Sequence, residues 1–353
     1  MEENQLSADA NKYERLTRCP YCRSIDIIPL YTVPDWLTKK QGIFYLAKCS
    51  KCKLVFQNPR IKEELIGEYY ADDLPYYQTD NRINNTKPSL FGSIRQSLEQ
   101  ATLINHFNYY HLGKKHWYVK ILTRFWVRLK KVGLFPNFIE DGKVLEIGCG
   151  TGGRLQKLKE LGWSVFGIEM SGKMTEYIRT ARKIDVINDN TENVEFPNNT
   201  FDAIVMSMVL EHLYDPFEQL KRITKWLKPG GELLFSIPYF ESMEFRVFTD
   251  CAHSLHLPAH QTFFNKKIIC EYLNSLGYTK IEIYYQGYDR DLVAGSKNKY
   301  TKTGRYIYKL IAYNKPLRKL VLRPLIYVMG WCGQASRISV TAQKGDALAS
   351  SVN

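Results

Sequence analysis

No apolar run in this chain is long enough to cross a bilayer. The longest, from Leu320 to Trp331, is broken by Arg323 and Pro324 and falls well short of the roughly 20 residues that a membrane-spanning helix needs. The N-terminal stretch MEENQLSADANKYERL carries early acids and lacks the basic start and apolar centre of a secretory signal, so the expected location is the cytoplasm. Internal repeats and low-complexity tracts are absent as well. Acids are in short supply: 49 lysines and arginines face 36 aspartates and glutamates, a net charge of +13. The deficit is local. Between Glu99 and Glu140 there is no acid, and none stands among Lys297, Lys299, Lys302, Arg305, Lys309, Lys315, Arg318, Lys319 and Arg323. Such a balance points to an anionic partner: nucleic acid, a phosphorylated substrate or an acidic membrane surface.

What is present is an ordinary globular composition, 44% hydrophobic and 24% charged over 353 residues, enough for one large core and one smaller module. Residues 1–60 read as a small module of short β segments, and residues 61–139 as a helical connecting and covering segment. In the latter, Ile121, Leu122, Phe125 and Leu129 recur at helical spacing among His116, Trp117, Tyr118, Lys120, Arg124, Trp126 and Arg128. Residues 140–345 form the main domain, with a basic amphipathic insertion at 293–331, and residues 346–353 a tail.

From Lys143 onward strand and helix patterns alternate, which implies parallel βαβ units. Strands are predicted at Lys143 to Ile147, Ser164 to Ile168, Asp185 to Ile187, Phe201 to Met206, Glu232 to Ile237, Lys280 to Tyr285 and Arg337 to Gln343. Ser171, Asp215 and Asn265 are predicted helix caps, because a short polar side chain accepts from an orphan amide of the first turn. The helix after Asp215 is predicted to run until Pro229-Gly230-Gly231.

The first strand leads into Gly148-Cys149-Gly150-Thr151-Gly152-Gly153, which also satisfies the dinucleotide fingerprint, with Glu169 in the place of its ribose-binding acid. Glu146 separates the readings. An acid two residues before the turn would repel a pyrophosphate, whereas a cofactor bearing an ammonium and a sulfonium would be attracted. Glu169 can accept from both ribose hydroxyls, and Met170 offers a soft apolar face to an adenine.

The segments VLEIGCGTGG, GIEMS, FDAIVMSMVLEHL and LKPGG resemble the successive motifs of the class I S-adenosylmethionine-dependent methyltransferases, over about residues 140 to 290. The resemblance implies an α/β, Rossmann-like fold with a mainly parallel seven-stranded sheet and helices on both faces. It also implies S-adenosylmethionine as cofactor, held by Glu146, Gly148, Gly150, Gly152, Glu169, Met170, Asn190, Thr191 and Ser207. Where the family usually has an aspartate and a small residue, this chain has Asn190-Thr191, and asparagine keeps an acceptor oxygen.

Cys19, Cys22, Cys49 and Cys52 form two CxxC pairs 26 residues apart. Four thiolates at that spacing suit one tetrahedral, structural zinc in a zinc-ribbon-like module; redox or unliganded thiols are the alternative. Cys149, Cys251, Cys270 and Cys332 read as packing residues. A terminal CxxC...CxxC module followed by Asn58-Pro59-Arg60 and Tyr69-Tyr70 resembles a bacterial branch of these methyltransferases that occurs with surface-polysaccharide synthesis. That branch has a Pro-Arg-His segment followed by Phe, matched here by Pro258-Ala259-His260 and Phe264, with alanine in place of the arginine.

His260, His256 and His212 are the candidate catalytic residues, His260 first, since histidine is the base best matched to neutral pH. Three functions compete. The first is methylation of a small-molecule or glycan acceptor, a sugar or cell-envelope intermediate, with the basic insertion touching an anionic membrane surface. The second is RNA methylation, which the missing acid-proline-proline-aromatic motif after the fourth strand disfavours. The third is a non-catalytic scaffold built on the zinc module.

Overall fold

The computed structural model describes residues 11–36, 42–69, 90–129 and 134–346. The extreme N-terminus, Tyr70 and all but the first residue of the tail lie outside them, as do the side chains of Phe125, Trp126, Arg128 and Leu129.

Twelve strands are described: β1 Tyr13–Glu14, β2 Ile27–Pro34, β3 Ile43–Cys49, β4 Val55–Gln57, β5 Arg60–Ile61, β6 Lys143–Ile147, β7 Ser164–Ile168, β8 Phe201–Ser207, β9 Leu227–Pro238, β10 Thr262–Phe263, β11 Tyr278–Gln286 and β12 Arg337–Lys344. The α-helices are α1 Leu90–His106, α2 Trp117–Leu129, α3 Gly153–Glu160, α4 Gly172–Tyr177, α5 Pro216–Trp226, α6 Met243–Phe248, α7 Lys266–Ser275, α8 Asp289–Thr303, α9 Tyr306–Tyr313, α10 Lys315–Leu317 and α11 Arg323–Trp331.

The main sheet runs β11-β12-β9-β8-β6-β7. β7, β6, β8 and β9 are mutually parallel, and β12 enters antiparallel between β9 and β11. Side chains alternate across it as strand geometry requires. Leu145, Ile147, Ile204, Met206, Leu233 and Phe235 pack toward α5 and α7, while Val144, Ala203, Val205 and Leu234 face α1 and α3. Helices on both faces explain why the central strands read as nearly continuous apolar runs. Ser171, Asp215 and Asn265 cap α4, α5 and α7 as predicted, accepting from Met174, Glu218 and Ile268.

Two expectations need correction. The sheet has six strands among the described residues, not seven: the segment Asp185 to Ile187 makes only one bridge, Ile187 to Ile168. Helix α5 ends at Trp226, and the Pro-Gly-Gly segment belongs to β9. Gly230 there has φ +74°, and the register with β8 shifts between Phe201 and Ala203, so the proline and two glycines bulge the strand instead of preceding it.

The cysteine segment is continuous with the main domain. Its sheet, β10-β4-β3-β2, takes its last strand from residues 262–263 of the main domain, and Cys19, Cys49, Leu54 and Phe56 share one core with Leu145 and Phe217. Cys149 and Cys251 are buried as expected, but Cys332 is exposed. In α2, Ile121 and Leu122 are exposed, so this helix does not cover the core with its whole apolar stripe.

Candidate cofactor and acceptor site

The parallel strands end at one edge, and the sequence motifs gather there. β6 runs into the glycine turn. Gly148 and Cys149 both donate to the Ile168 carbonyl, at 2.9 and 3.2 Å. Gly148 has φ +66°, and a Cβ on it would lie 2.5 Å from Val209 Cγ2, so only glycine fits. At Gly150 (φ +56°) a Cβ would meet nothing within 4 Å. The conformation alone demands glycine there, and this side of the turn is open.

Glu169, at the end of β7, is buried with its carboxylate beneath the turn. Oε2 accepts from Gly150 N at 2.7 Å and Oε1 from Ser171 N at 2.9 Å. One acceptor position remains on each oxygen. Burial pushes its pKa up, opposed by those two amides. Met170 is 53% exposed beside it. Asn188, which sequence reasoning passed over, ties this corner by donating to the carbonyls of Glu169 and Met170.

Glu146 is buried too, and Arg154 reaches its Oε1 at 2.8 Å. Burial raises its pKa to about 7 in spite of that guanidinium. Arg154 is the second residue the sequence reading missed; its signal is its place in the first turn of α3, directly after the glycine turn that follows the strand acid. The Asn190 side-chain nitrogen donates to Glu192 at 3.1 Å, leaving its oxygen as acceptor. Thr191 is turned inward instead: both its carbonyl and its hydroxyl accept from Gln219 of α5 at 3.3 Å. Ser207 contacts Ser236 through their hydroxyls at 3.1 Å, joining the ends of β8 and β9.

Beyond β8 and β9 the histidines cluster. His212 and His260 ring centroids lie 4.6 Å apart, and His256 and His260 5.0 Å. His260 is 1% exposed, whereas His212 and His256 keep partial exposure. A His212 ring nitrogen bonds the Ala259 carbonyl, yet burial takes its pKa down to about 4. Burial and the neighbouring imidazoles hold His256 and His260 well below the usual range. All three are therefore neutral at physiological pH. Glu211 stands with them, fully buried, its pKa raised to about 8 by desolvation.

The four cysteines converge as their spacing suggested. Cys19 and Cys52 sulfurs are 3.5 Å apart, as are Cys22 and Cys49, and all four lie within 4.8 Å of one another. A tetrahedron with Zn–S of about 2.3 Å has sulfurs about 3.8 Å apart, so this donor set fits zinc. Burial resists ionisation of Cys49, but the backbone amides of Cys52 and Lys51 outweigh it and bring the thiol down to about 7.

Residues 118–283 match the model of a family described as a methyltransferase domain. The ubiquinone/menaquinone biosynthesis C-methyltransferase of Wigglesworthia glossinidia brevipalpis is 33% identical over 117 residues, 30% of this chain and 47% of that protein. The ubiquinone biosynthesis O-methyltransferase of Aliivibrio fischeri is 30% identical over 116 residues, 31% of this chain and 50% of that one. The chain thus spans about half the length of these curated relatives. Among solved structures, a SAM-dependent methyltransferase from Archaeoglobus fulgidus aligns with a TM-score of 0.40 and 18% identity, covering 64% of this chain and 91% of that one. The family match thus makes residues 118–283, just under half of the chain, similar to a methyltransferase domain.

Proposed function

We propose that the chain transfers the methyl group of S-adenosylmethionine to a small-molecule acceptor, a sugar, glycan precursor or related cell-envelope intermediate. The observation that carries the donor half is the open Gly150 turn over Glu169. Glu169 would take the ribose hydroxyls on its remaining acceptor positions, Met170 would meet the adenine, and the Asn190 oxygen its amino group. Glu146 faces the turn as the counter-charge for an ammonium. Bound there, S-adenosylmethionine supplies a methyl carbon already activated by the sulfonium. The residues of the chain then need only align the acceptor and take its proton.

His212 would line the acceptor side, because of the Glu211, His212 and His260 group it alone keeps exposure. Relatives named for C- and O-methylation in ubiquinone biosynthesis favour a small organic acceptor over RNA. The sugar or glycan reading rests on the cysteine pairs with Asn58-Pro59-Arg60 and on Pro258-Ala259-His260. Zinc on Cys19, Cys22, Cys49 and Cys52 would fix the module that packs against the histidine loop.

We also infer that the enzyme works against an anionic lipid surface. No helix among the described residues is long and apolar enough to cross a membrane, so contact would be peripheral. Four of the nine basic residues in the insertion are tied to acids, Lys299 and Lys302 to Asp250, and Arg318 and Arg323 to Asp289. The apolar side is broader than the sequence suggested. Helix α11 packs beside α2, and Trp117 at 76% exposure, Trp331 at 73%, Leu122, Leu320 and Val328 are all exposed on these elements and the segment before α11. Exposed tryptophans with interspersed lysine and arginine suit the headgroup boundary.

Calorimetric titration with S-adenosylmethionine tests the donor half. Absence of binding would overturn the reading; labelled methyl transfer to candidate sugar acceptors then tests the rest.

A further inference from the structure

Glu211 has no exposed surface, and neither carboxylate oxygen has a hydrogen-bond partner. A desolvated carboxylate without compensation is costly, so this one needs a cation or a proton. Arg337 attracts it but makes no hydrogen bond to it, being engaged with Asp291 at 3.4 Å. What stands opposite is a second acceptor. His260 Nδ1 lies 3.0 Å from the Ser254 carbonyl, which assigns its hydrogen to that nitrogen. Nε2 is left with its lone pair, 3.9 Å from Glu211 Oε1 and beyond hydrogen-bond reach. The His212 ring is oriented in the same way, by the Ala259 carbonyl. One ligand atom from each of Glu211, His212 and His260 lies within 4.8 Å of the other two.

Two lone pairs held 3.9 Å apart in a buried site repel unless a proton or a metal cation sits between them. An imidazole whose second nitrogen donates to a backbone carbonyl is the arrangement that orients metal-binding histidines. Two imidazoles and one carboxylate form a donor set for zinc or another divalent transition metal, with coordination positions left over. The scaffold is fixed from both sides. Gln261 N donates to the Glu211 carbonyl at 2.7 Å, and Gln57 holds the His260 carbonyl at 2.7 Å. The cluster also adjoins the cofactor turn, since Val209, two residues before Glu211, is the side chain that packs on Gly148.

We propose that Glu211, His212 and His260 form a divalent transition-metal site, separate from the four cysteines, whose open positions take an oxygen of the acceptor. Metal binding stands independently of methyl transfer; only the acceptor role rests on that reading. A cation here would also lower the pKa of a bound hydroxyl and ease its deprotonation.

Cobalt(II) distinguishes the two sites. Untagged protein, reduced and stripped with chelator, is titrated with cobalt while visible absorption and bound metal are read. Cobalt on the cysteines gives thiolate-to-metal charge-transfer bands; cobalt on a carboxylate and two imidazoles gives ligand-field bands without them. The expected result is a cobalt equivalent lacking thiolate bands. In Glu211→Gln and His212→Gln it should weaken by at least about tenfold, with any thiolate bands unchanged. Wild-type protein that takes up cobalt with thiolate bands alone, or no cobalt, overturns the proposal. So does a non-thiolate equivalent that survives unweakened in both variants. Failure of the cysteine site leaves the non-thiolate signal readable, so the two assignments fail separately.

Discussion

Gln57 donates both hydrogens of its side-chain amide to the loop that carries His260: one to the Pro258 carbonyl and one to the carbonyl of His260 itself, each at 2.7 Å. Its own backbone N–H donates to the Gln261 carbonyl at 2.9 Å, continuing the β4–β10 pairing. Through this one buried side chain the cysteine segment holds the histidine loop in place.

Gln57→Ala leaves the buried His260 carbonyl without its donor, while the Pro258 carbonyl keeps the Gln261 side-chain amide at 2.9 Å. An orphaned buried group costs about 1–3 kcal/mol, so the melting temperature should fall by several degrees while S-adenosylmethionine affinity changes little. Differential scanning calorimetry beside a binding titration checks both. An unchanged melting temperature would mean that water replaces the amide and that the clamp carries no stability.

Glu169→Ala removes acceptors proposed for two ribose hydroxyls, and bonds to a charged group are worth about 1.5–3 kcal/mol. Affinity for S-adenosylmethionine should drop by roughly 10- to 150-fold. Equal affinity in wild type and variant would take Glu169 out of the cofactor site.

Metal analysis of untagged protein is expected to find zinc that disappears in a Cys49→Ser, Cys52→Ser double variant. Because the second pair joins β3 to β4, in the sheet that ends on β10, chelation should also loosen residues 258–264, read as faster amide exchange there. Zinc content that is the same in the double variant would assign the pairs another role.

Glu146 offers a test by pH. Burial raises its folded pKa to about 7, above the usual range of about 4.3 for an unfolded glutamate. Between these values the folded state binds the extra proton, so its contribution to stability is full below about 4.3 and is lost as pH rises through about 7. Glu146→Gln removes this titration. The stability of wild type relative to the variant should therefore decline from pH 4.5 to about 7.5. A difference that is flat with pH, measured by denaturant unfolding, would show that Arg154 keeps Glu146 ionised throughout.

The α2–α11 surface predicts sedimentation with liposomes of anionic lipid at low salt and release as salt rises, since each basic residue near such a surface adds about 1 kcal/mol at most. A Trp117→Ala, Trp331→Ala pair should weaken pelleting without altering the melting temperature. Equal pelleting with neutral liposomes would remove the electrostatic part.

Much of the architecture was legible from local signals. The caps at Ser171, Asp215 and Asn265 formed because they depend only on a side chain and the amides three residues on. The turn at Gly148 to Gly153 and the convergence of the four cysteines follow from spacing that a short chain segment can close only in a few ways. Other outcomes belong to the tertiary structure. Asp185 to Ile187 stands at the far edge, next to β7, and a strand with a neighbour on one side only is reduced here to a single bridge. Thr191 faces Gln219 because α5 arrives beside it from 25 residues further along the chain. Sequence ranked His260 first among the histidines, yet burial and depressed basicity are properties of what surrounds a ring, and those neighbours come from β4 and from the segments after β8 and β9. Residue type and spacing decided which chemistry was available; long-range packing decided which groups lost their water, and that determines which of them can hold a proton, a metal or a substrate.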